Sequence, residues 1–259
     1  MSAINAALSG LVLTFVLLTL VWLIQLKTRN AGLVDAVWSA SLGLLALLYA
    51  ALGPAPAELR MLLAVLAGLW SARLALYLAI RMRGAPEDSR YAAARESWGE
   101  RADTYMLLFF WFQAVVAWVL SAPYLVLAWR DGLPATGWIV AAVVLWVVSV
   151  GGEALADRQL HRFKQNPANR GKVCAEGLWR YSRHPNYFFE SLHWVAYVLL
   201  AIGAEFWWAT LASPVIMALL LLKVSGIPTI EGEGGKSRRE GYDEYIRRTS
   251  AFIPLPPKR

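Results

Sequence analysis

Seven long apolar stretches separated by polar segments dominate the hydrophobic pattern of this chain. They cover approximately residues 4–26, 33–52, 59–80, 106–129, 137–156, 187–204 and 206–224. A helix needs about 20 mostly apolar residues to cross roughly 30 Å of hydrocarbon, and lipid does not tolerate the open edges of a sheet. The pattern therefore predicts an all-α integral membrane protein in which residues 1–259 form a single domain of seven transmembrane helices.

The composition agrees with a membrane protein and excludes several other classes. Of the 259 residues, 58% are hydrophobic and only 17% are charged, whereas a soluble domain averages about 45–50% apolar and about 25% charged residues. The 13 Trp and 10 Tyr suit the aromatic belts of a bilayer protein. The single cysteine, Cys174, excludes a disulfide scaffold and a thiolate metal site.

Lys and Arg are distributed very unevenly between the two sides that seven spans define. Twenty-one of the 25 lie in the first, third and fifth loops and the C-terminal segment, whereas only Arg60 and Arg130 lie in loops of the other side. Because cytoplasmic loops carry the excess of Lys and Arg, the pattern predicts an external N-terminus and a cytoplasmic C-terminus. The same asymmetry attributes the net charge of +7 to orientation and anionic lipid headgroups rather than to nucleic-acid binding.

Several ionisable side chains lie inside the predicted spans, where a charge costs on the order of 3 kcal/mol. Besides Lys223, which ends a span and can snorkel, they are Asp35, Arg73, Glu153, Asp157, Glu190 and His193. Asp35 has an ordinary interpretation as an interfacial cap, and His193 as a buried core histidine. Arg73 has one as the ion-pair partner of Asp35 or Glu153. The four acids nevertheless all fall in the cytoplasmic halves of their spans, which favours a polar cavity open to the cytoplasm.

A metal site and a serine hydrolase are the first chemical alternatives for these residues. Glu190 and His193 have the Glu-x-x-His spacing of a di-iron helix motif, but that architecture requires a second such pair, which the sequence lacks. The spacing of His161 and His184 does not complete a site. The sequence also lacks the Gly-x-Ser-x-Gly motif of α/β-hydrolases. We therefore expect neither a bound metal nor a serine nucleophile.

The fifth loop ends in a basic cluster at the start of a predicted helix. Arg180, Arg183 and His184 precede Pro185 and Asn186. Free N–H groups at a helix start, together with guanidinium groups, make an anion site suited to phosphate or carboxylate. The alternative is a charged juxtamembrane turn without a ligand. No Gly-x-Gly-x-x-Gly motif follows a strand, so a Rossmann domain is not the means of binding a nucleotide.

Motifs in the second half of the chain are similar to those of a known family. The stretch Gly177-Leu-Trp-Arg-Tyr-Ser-Arg-His-Pro-Asn-Tyr-Phe-x-Glu190 resembles the C-terminal signature of the membrane-embedded steroid 5α-reductase superfamily, in its bacterial branch. The Arg-His-Pro-x-Tyr core is shared with isoprenylcysteine and phospholipid methyltransferases, but the continuation to Glu190 favours the reductases. Further similar segments, which extend the resemblance over Val34 to Pro254, are Glu87-Asp-x-Arg-Tyr91, Asp157-x-x-Leu160, Ser225-Gly-Ile-Pro228, Tyr242-x-x-Tyr245 and Phe252-Ile-Pro254.

The resemblance implies an NADPH-dependent oxidoreductase of the bacterial cytoplasmic membrane. It would reduce a carbon–carbon double bond conjugated to a ketone in an apolar, membrane-dissolved substrate such as a 3-oxo-Δ4 steroid. NADPH would bind between spans and cytoplasmic loops, and residues 225–259 would close over it as a tail. The implied cofactor residues are Arg81, Arg83, Glu153, Asp157, Lys164, Tyr181, Arg183, His184, Asn186, Glu190, Arg239, Tyr242 and Tyr245.

The chain departs from the steroid enzymes at the positions that hold the substrate ketone. Asp35 is the nearest match to a family glutamate, and Trp70 stands where the family has a tyrosine. An indole N–H donates a hydrogen bond but cannot transfer a proton. We therefore expect a protonated Asp35 to meet the charge that develops on the ketone oxygen, with Trp70 or Tyr77 assisting.

Two other functions compete with the reductase. One is an S-adenosylmethionine-dependent methyltransferase of the isoprenylcysteine type, which would use the same loop for a different adenosyl cofactor. The other is a non-catalytic lipid or sterol binder that keeps the cavity without turnover. The identity of the cofactor, NADPH, S-adenosylmethionine or neither, separates the three.

Overall fold

The computed structural model describes residues 1–231 and 241–258, and these ranges are helical without a β-strand. Short 3₁₀ segments join several of the helices, and a π-helical turn covers Leu220–Val224. The α-helices are α1 Ala3–Thr28, α2 Leu33–Leu52, α3 Ala57–Met82, α4 Ser89–Trp98, α5 Ala102–Leu120, α6 Ala122–Ala128, α7 Thr136–Gln165, α8 Pro185–Ala201, α9 Ala212–Leu219, α10 Ile227–Glu231 and α11 Tyr242–Arg248. The all-α class is confirmed for these ranges.

Six helical segments of the described ranges are long and apolar enough to cross a membrane. They are α1, α2, α3, the continuous segment Ser89–Ala128, α7 and the segment Trp207–Val224. The predicted span 187–204 corresponds to α8, whose 17 residues rise about 26 Å and lie at the lower limit for a crossing. The chain is therefore a helical membrane protein, and a seventh crossing by α8 stays a prediction.

The chain divides into two compact units where the sequence predicts one domain. The first unit contains Met1–Pro134 and Ala201–Ser213, and the second contains Ala135–Leu200 and Pro214–Arg259. The first unit therefore holds α1 to α6, and the second holds α7, nearly all of α8 and the C-terminal helices.

Small residues bring α2 and α3 close together in the first unit. The Gly43 N–H donates to Ser71 Oγ at 3.1 Å, and Ser71 Oγ donates to the Ser39 carbonyl at 2.6 Å. A Cβ atom on Gly43 would lie only 2.5 Å from Ser71 Oγ. Helices in lipid pack through such small residues because no hydrophobic effect drives them together.

The third loop, expected only as a basic cytoplasmic loop, folds into the short helix α4. Asp88 caps its start by accepting from the Arg90 N–H. Tyr91 of α4 is buried in a core cluster with residues of α1, α2 and α5. Arg95 donates both to Gln25 Oε1 of α1 and to Glu87 Oε1, each at 2.9 Å. These contacts fix α4 against the first unit's helices.

The predicted span 106–129 is interrupted near its carboxyl end. Helix α5 ends at Leu120 and α6 begins at Ala122, with Pro123 in the first turn of α6. Proline lacks the N–H that would continue the α-helical ladder. Ser121, at the junction, donates its hydroxyl to the Trp118 carbonyl at 2.6 Å.

In the second unit, the segment before α8 is tied back to α7. The Trp179 indole donates to the Ala156 carbonyl at 2.9 Å, and the Leu178 N–H donates to Gln159 Oε1 at 2.9 Å. Gly177 has a φ of +58°, and a Cβ there would lie 2.5 Å from the Gln159 amide. Only glycine meets both demands without strain. The start of α8 is thereby anchored to the polar end of α7.

The two arginines assigned to the external side both cap the carboxyl ends of helices. Arg60 donates to the carbonyls of Ala50, in the last turn of α2, and of Ala55, at 2.8 and 2.9 Å. Arg130 donates to the carbonyls of Ala201 and Ile202 at the end of α8, at 3.0 and 2.9 Å. The last carbonyls of a helix lack intrahelical partners and attract cations.

We expect cysteines at Asp131 and Glu205 to be labelled from outside the cell, and one at Arg170 only after permeabilisation. All three side chains are exposed, and Cys174 would first be replaced by serine because it is the native thiol. An impermeant maleimide applied to intact cells provides the measurement. Arg130 itself is a poor label position because it is 9% exposed. Protection of Glu205→Cys together with labelling of Asp131→Cys would show that α8 does not cross the membrane.

Candidate functional site

A row of buried polar side chains follows one face of α7 and one face of α8 in the second unit. Glu153 and Asp157 lie four residues apart on α7 and are 4% and 6% exposed. Glu190, one turn after Asn186 on α8, is 7% exposed. Acids are kept in such positions at a considerable desolvation cost. Four residues implied as cofactor contacts therefore lie on two helices of one unit.

Asp157 and Asn186 join these two rows. Asn186 Nδ2 donates to Asp157 Oδ1 at 3.2 Å, which orients the amide. Asn186 Oδ1 is buried and has no hydrogen-bond partner among the described residues. A buried acceptor that is left unsatisfied costs about 1–3 kcal/mol. The site therefore presents an oriented acceptor that a donor on a bound molecule would satisfy.

The C-terminal segment is bound to the segment that precedes α8. Ser182 forms a single parallel β-bridge with Ser250 and donates its hydroxyl to the Phe252 carbonyl at 2.8 Å. The Tyr245 hydroxyl donates to the Trp179 carbonyl at 2.6 Å. Burial comes first among the causes that raise the pKa of Tyr245, so the phenol stays neutral. The C-terminal segment therefore packs against residues 179–183, and its closure over a cofactor stays a prediction.

Arg183 and His184 are held by Glu231, a residue that the sequence analysis did not select. Arg183 Nε and Nη2 donate to the two Glu231 carboxylate oxygens at 2.7 and 2.9 Å, and His184 Nε2 lies 2.8 Å from Glu231 Oε1. Arg183 Nη1 also donates to the carbonyls of Ile246 and Thr249. The predicted anion site is thus filled by a carboxylate of the chain itself, and a cofactor role for Arg183 and His184 stays a prediction.

Glu231 has an unusually low pKa in this arrangement. Burial would raise its pKa, but the hydrogen bonds from His184 and Arg183 and the positive charges outweigh burial and lower the pKa from 4.5 to about 2. Its carboxylate is therefore ionised under any physiological condition, which keeps the bidentate pair with Arg183 intact.

We expect Glu231 to make the stability of the protein fall in acid. Because its folded-state pKa is depressed, ionised Glu231 stabilises the fold above about pH 4.5, and this contribution is lost as the pH falls toward about 2. The melting temperatures of the wild type and Glu231→Gln in detergent should differ most near about pH 6 and converge below about pH 3. A difference that stays constant over this range would contradict the assignment.

The Asp35 carboxylate accepts hydrogen bonds from two residues of α4 in the first unit. Tyr91 donates its hydroxyl to Asp35 Oδ1 at 2.5 Å, and Arg90 Nη2 donates to Asp35 Oδ2 at 3.0 Å. The structure thus pairs Asp35 with Arg90, a partner that the sequence analysis did not name. Each carboxylate oxygen of Asp35 accepts a hydrogen bond from a residue of α4. The role of Asp35 as the acid that meets the ketone stays a prediction.

The remaining implied residues of the first unit lie along α3 and at its carboxyl end. Trp70 is fully buried, Tyr77 is half-buried seven residues later, and Arg81 and Arg83 are exposed. Trp70 and Tyr77 share a face of α3 because seven residues make almost two turns. Burial would raise the pKa of Asp88, but bonds from Arg90 and the charges of Arg90 and Arg81 lower it. Arg81 therefore lies close enough to act on the α4 cap.

Three further implied cofactor residues lie in the second unit, and a fourth is not described by the structure. Lys164 and Tyr181 are exposed, Tyr242 is half-buried at the start of α11, and Arg239 lies outside the described residues. Within residues 1–231 and 241–258, no group of three or more His, Cys, Asp or Glu side chains gathers as a metal site. The polar groups that the structure brings together in this unit are thus the α7–α8 row and the tail contact.

The sequence analysis missed Glu231, and it missed Arg90 and Tyr91 as the partners of Asp35. Glu231 contacts residues 47 and 48 positions away, and Asp35 contacts residues 55 and 56 positions away. Both Glu231 and Tyr91 could have been selected from motifs of the resemblance. Glu231 follows the motif Ser225-Gly-Ile-Pro228 by three residues, and Tyr91 ends the motif Glu87-Asp-x-Arg-Tyr91.

Comparisons with known proteins identify a family. The chain matches the family described as "Protein of unknown function (DUF1295)" over residues 21–249. It is 30% identical over 230 residues to an uncharacterized protein of the fission yeast Schizosaccharomyces pombe, C594.04c, in an alignment that covers 78% of this chain and 66% of the yeast protein. The chain thus spans about two thirds of the length of that relative. No solved structure matches the chain. The chain belongs to the DUF1295 family, which lies in the steroid 5α-reductase-like group.

Proposed function

We propose that this protein reduces a carbon–carbon double bond conjugated to a ketone, with NADPH as the reductant. The substrate would be apolar and dissolved in the membrane, of the 3-oxo-Δ4 steroid type. The observation that carries this proposal is the Asp157–Asn186 pair, which leaves a buried amide oxygen without a hydrogen-bond partner among the described residues. Membership of the steroid 5α-reductase-like group supports the reaction class.

The Asp157–Asn186 pair suits the nicotinamide end of NADPH. The carboxamide of nicotinamide has two N–H donors, and Asn186 Oδ1 is an acceptor without a partner among the described residues. Asp157 fixes the orientation of the amide by accepting from its Nδ2. In this proposal Asp157 holds Asn186, Asn186 holds the carboxamide, and Glu190 borders the same position one helical turn further on. NADPH would supply hydride to the substrate when bound.

In the second unit, a phosphate of NADPH would be met by Lys164, whose side chain is exposed in the last turn of α7. A lysine ammonium group binds phosphate through charge-assisted hydrogen bonds. The long apolar helices suit a substrate that partitions into the bilayer rather than into water, and we propose the cytoplasmic membrane of a bacterium as its location.

We expect NADPH to bind purified protein in detergent, with a change in Trp emission, and Asn186→Ala to weaken that binding. Loss of a hydrogen bond to a buried acceptor costs about 1–3 kcal/mol, so the Kd should rise about 5- to 150-fold. Asn5→Ala is a matched control because Asn5 is exposed at the start of α1. The same titration with S-adenosylmethionine should show no comparable binding.

Two results would redirect this proposal. Binding of S-adenosylmethionine that is lost in Asn186→Ala, with no NADPH binding, would replace the reductase with a methyltransferase. Binding of neither cofactor, together with retention of a sterol or lipid, would leave the non-catalytic binder.

A further inference from the structure

A third polar residue continues the row of Asn186 and Glu190 along α8. His193 follows Glu190 by three residues and Asn186 by seven, so all three share one face of the helix. Its side chain is fully buried in a membrane protein. A phenylalanine would fill such a position at lower cost, because burying a polar ring requires compensation by hydrogen bonds. Packing alone therefore does not explain an imidazole at position 193, and a chemical role would.

The hydrogen bond of one ring nitrogen determines the state of the other. His193 Nδ1 lies 2.7 Å from the Glu190 carbonyl oxygen, which can only accept. Nδ1 therefore carries the hydrogen, and in the neutral ring Nε2 carries the lone pair. Loss or gain of a proton at Nε2 leaves the bond to Glu190 unchanged, so the ring keeps its orientation through both states.

The surroundings of the ring in the second unit suit a group that alternates between neutral and charged forms. The Glu190 carboxyl lies 3.8 Å from Nδ1, within reach of an ion pair when the ring is protonated. The ring plane is tilted against Trp194 at a centroid distance of 4.8 Å and meets Tyr197 nearly at right angles at 5.7 Å. Aromatic faces hold the ring in place and also tolerate a cation.

We infer that His193 is the proton donor of the proposed reduction, an inference that rests on the proposed function. The double bond gains two hydrogens: one as hydride from NADPH at the β-carbon, and one as a proton at the α-carbon. His193 would give up the proton of its Nε2–H, and the ring returns to the neutral form with its Nδ1–H still bonded to Glu190. Asp35 is less suited to this step because both of its oxygens accept from Arg90 and Tyr91.

The same lone pair predicts a reaction that needs no cofactor. By reversal of the proton step, neutral His193 takes a proton from the α-carbon of the saturated ketone, which leaves an enolate beside an imidazolium. Exchange of that proton with D₂O and return to carbon would put deuterium at the α-position. We expect the wild type, without NADPH, to catalyse this exchange in 5α-androstan-3-one, detected by mass spectrometry.

His193→Gln should slow the exchange by about 100-fold or more, the usual contribution of a positioned acid or base. Tyr197→Phe is the matched control, since it changes a neighbouring buried residue and leaves the imidazole in place. Melting temperature and NADPH titration show whether each variant is folded, and His193→Asn serves as a second substitution if His193→Gln does not fold.

The outcomes separate this inference from the proposed function. No exchange by the wild type, or equal exchange by a folded His193→Gln, overturns the role of His193 even if NADPH binds and is consumed. Exchange that depends on His193 in a protein that does not bind NADPH supports the proton chemistry and overturns the cofactor assignment instead.

Discussion

Arg183→Gln is expected to lower the free energy of unfolding by about 2–4 kcal/mol, between the values for exposed and fully buried ion pairs. Arg183 and Glu231 are 12% and 15% exposed and form a bidentate pair. Arg183 also holds the carbonyls of Ile246 and Thr249 at the end of α11. Its removal leaves a half-buried carboxylate and two carbonyls without their donor. Thermal unfolding in detergent and proteolysis within residues 241–258 would measure the loss.

Arg180→Gln provides the matched control for this prediction. Arg180 lies three residues earlier in the same basic loop and is exposed. The same substitution there should change stability by less than about 0.5 kcal/mol, as is usual for surface positions. Equal effects of the two substitutions would mean that the loop acts through its net charge rather than through the Glu231 pair.

Asp35→Asn is expected to destabilise the first unit by about 1.5–3 kcal/mol, the range for hydrogen bonds to charged groups. An asparagine has one acceptor oxygen where Asp35 has two, so it can accept from only one of Arg90 and Tyr91. Its NH₂ group, itself a donor, then faces the other donor. Tyr91→Phe should reproduce part of the loss, about 1 kcal/mol, because it removes one of the two bonds and leaves the carboxylate in place. Melting temperatures of the three proteins provide the measurement.

The catalytic interpretation of Asp35 predicts a different result. If Asp35 is the acid that meets the ketone, Asp35→Asn remains stable while turnover of an enone falls by roughly 10²–10⁴. Stability and turnover measured on the same preparation distinguish the two roles. A protein that is less stable but turns over at a rate near that of the wild type would assign Asp35 to the anchoring of α4.

The positions of the helices follow closely from apolar length alone. The predicted span 33–52 coincides with α2, and the predicted spans 4–26 and 59–80 lie within α1 and α3. The interruption near Ser121 was also encoded in the sequence, since Pro123 cannot continue a helical ladder. It was missed because the surrounding apolar residues remain long enough to span without a break.

The partners of the charged residues do not follow from a linear pattern. Spacing on one helix groups Glu153 with Asp157 and Glu190 with His193, because periodicity determines the face. It does not tell which distant segment folds against Asp35. That depends on α4, a helix of ten residues with little apolar bias, whose position is set by Tyr91 and Arg95. The same reason explains why Glu231 was not expected beside Arg183.

Arg60 and Arg130 have a consequence for how the chain enters the membrane. In the orientation that the sequence predicts, each is a cation on the external side, and each binds main-chain carbonyls at a helix end. Those carbonyls are in place only after α2 and α8 have formed, so during insertion both residues are bare charges that favour retention in the cytoplasm. The positive charge of these two arginines therefore opposes the predicted orientation during insertion but stabilises helix ends in the folded protein. Each arginine side chain finds its carbonyl partners only late in folding, when the helix end that it caps is complete; until then it is unpaired in the translocating chain.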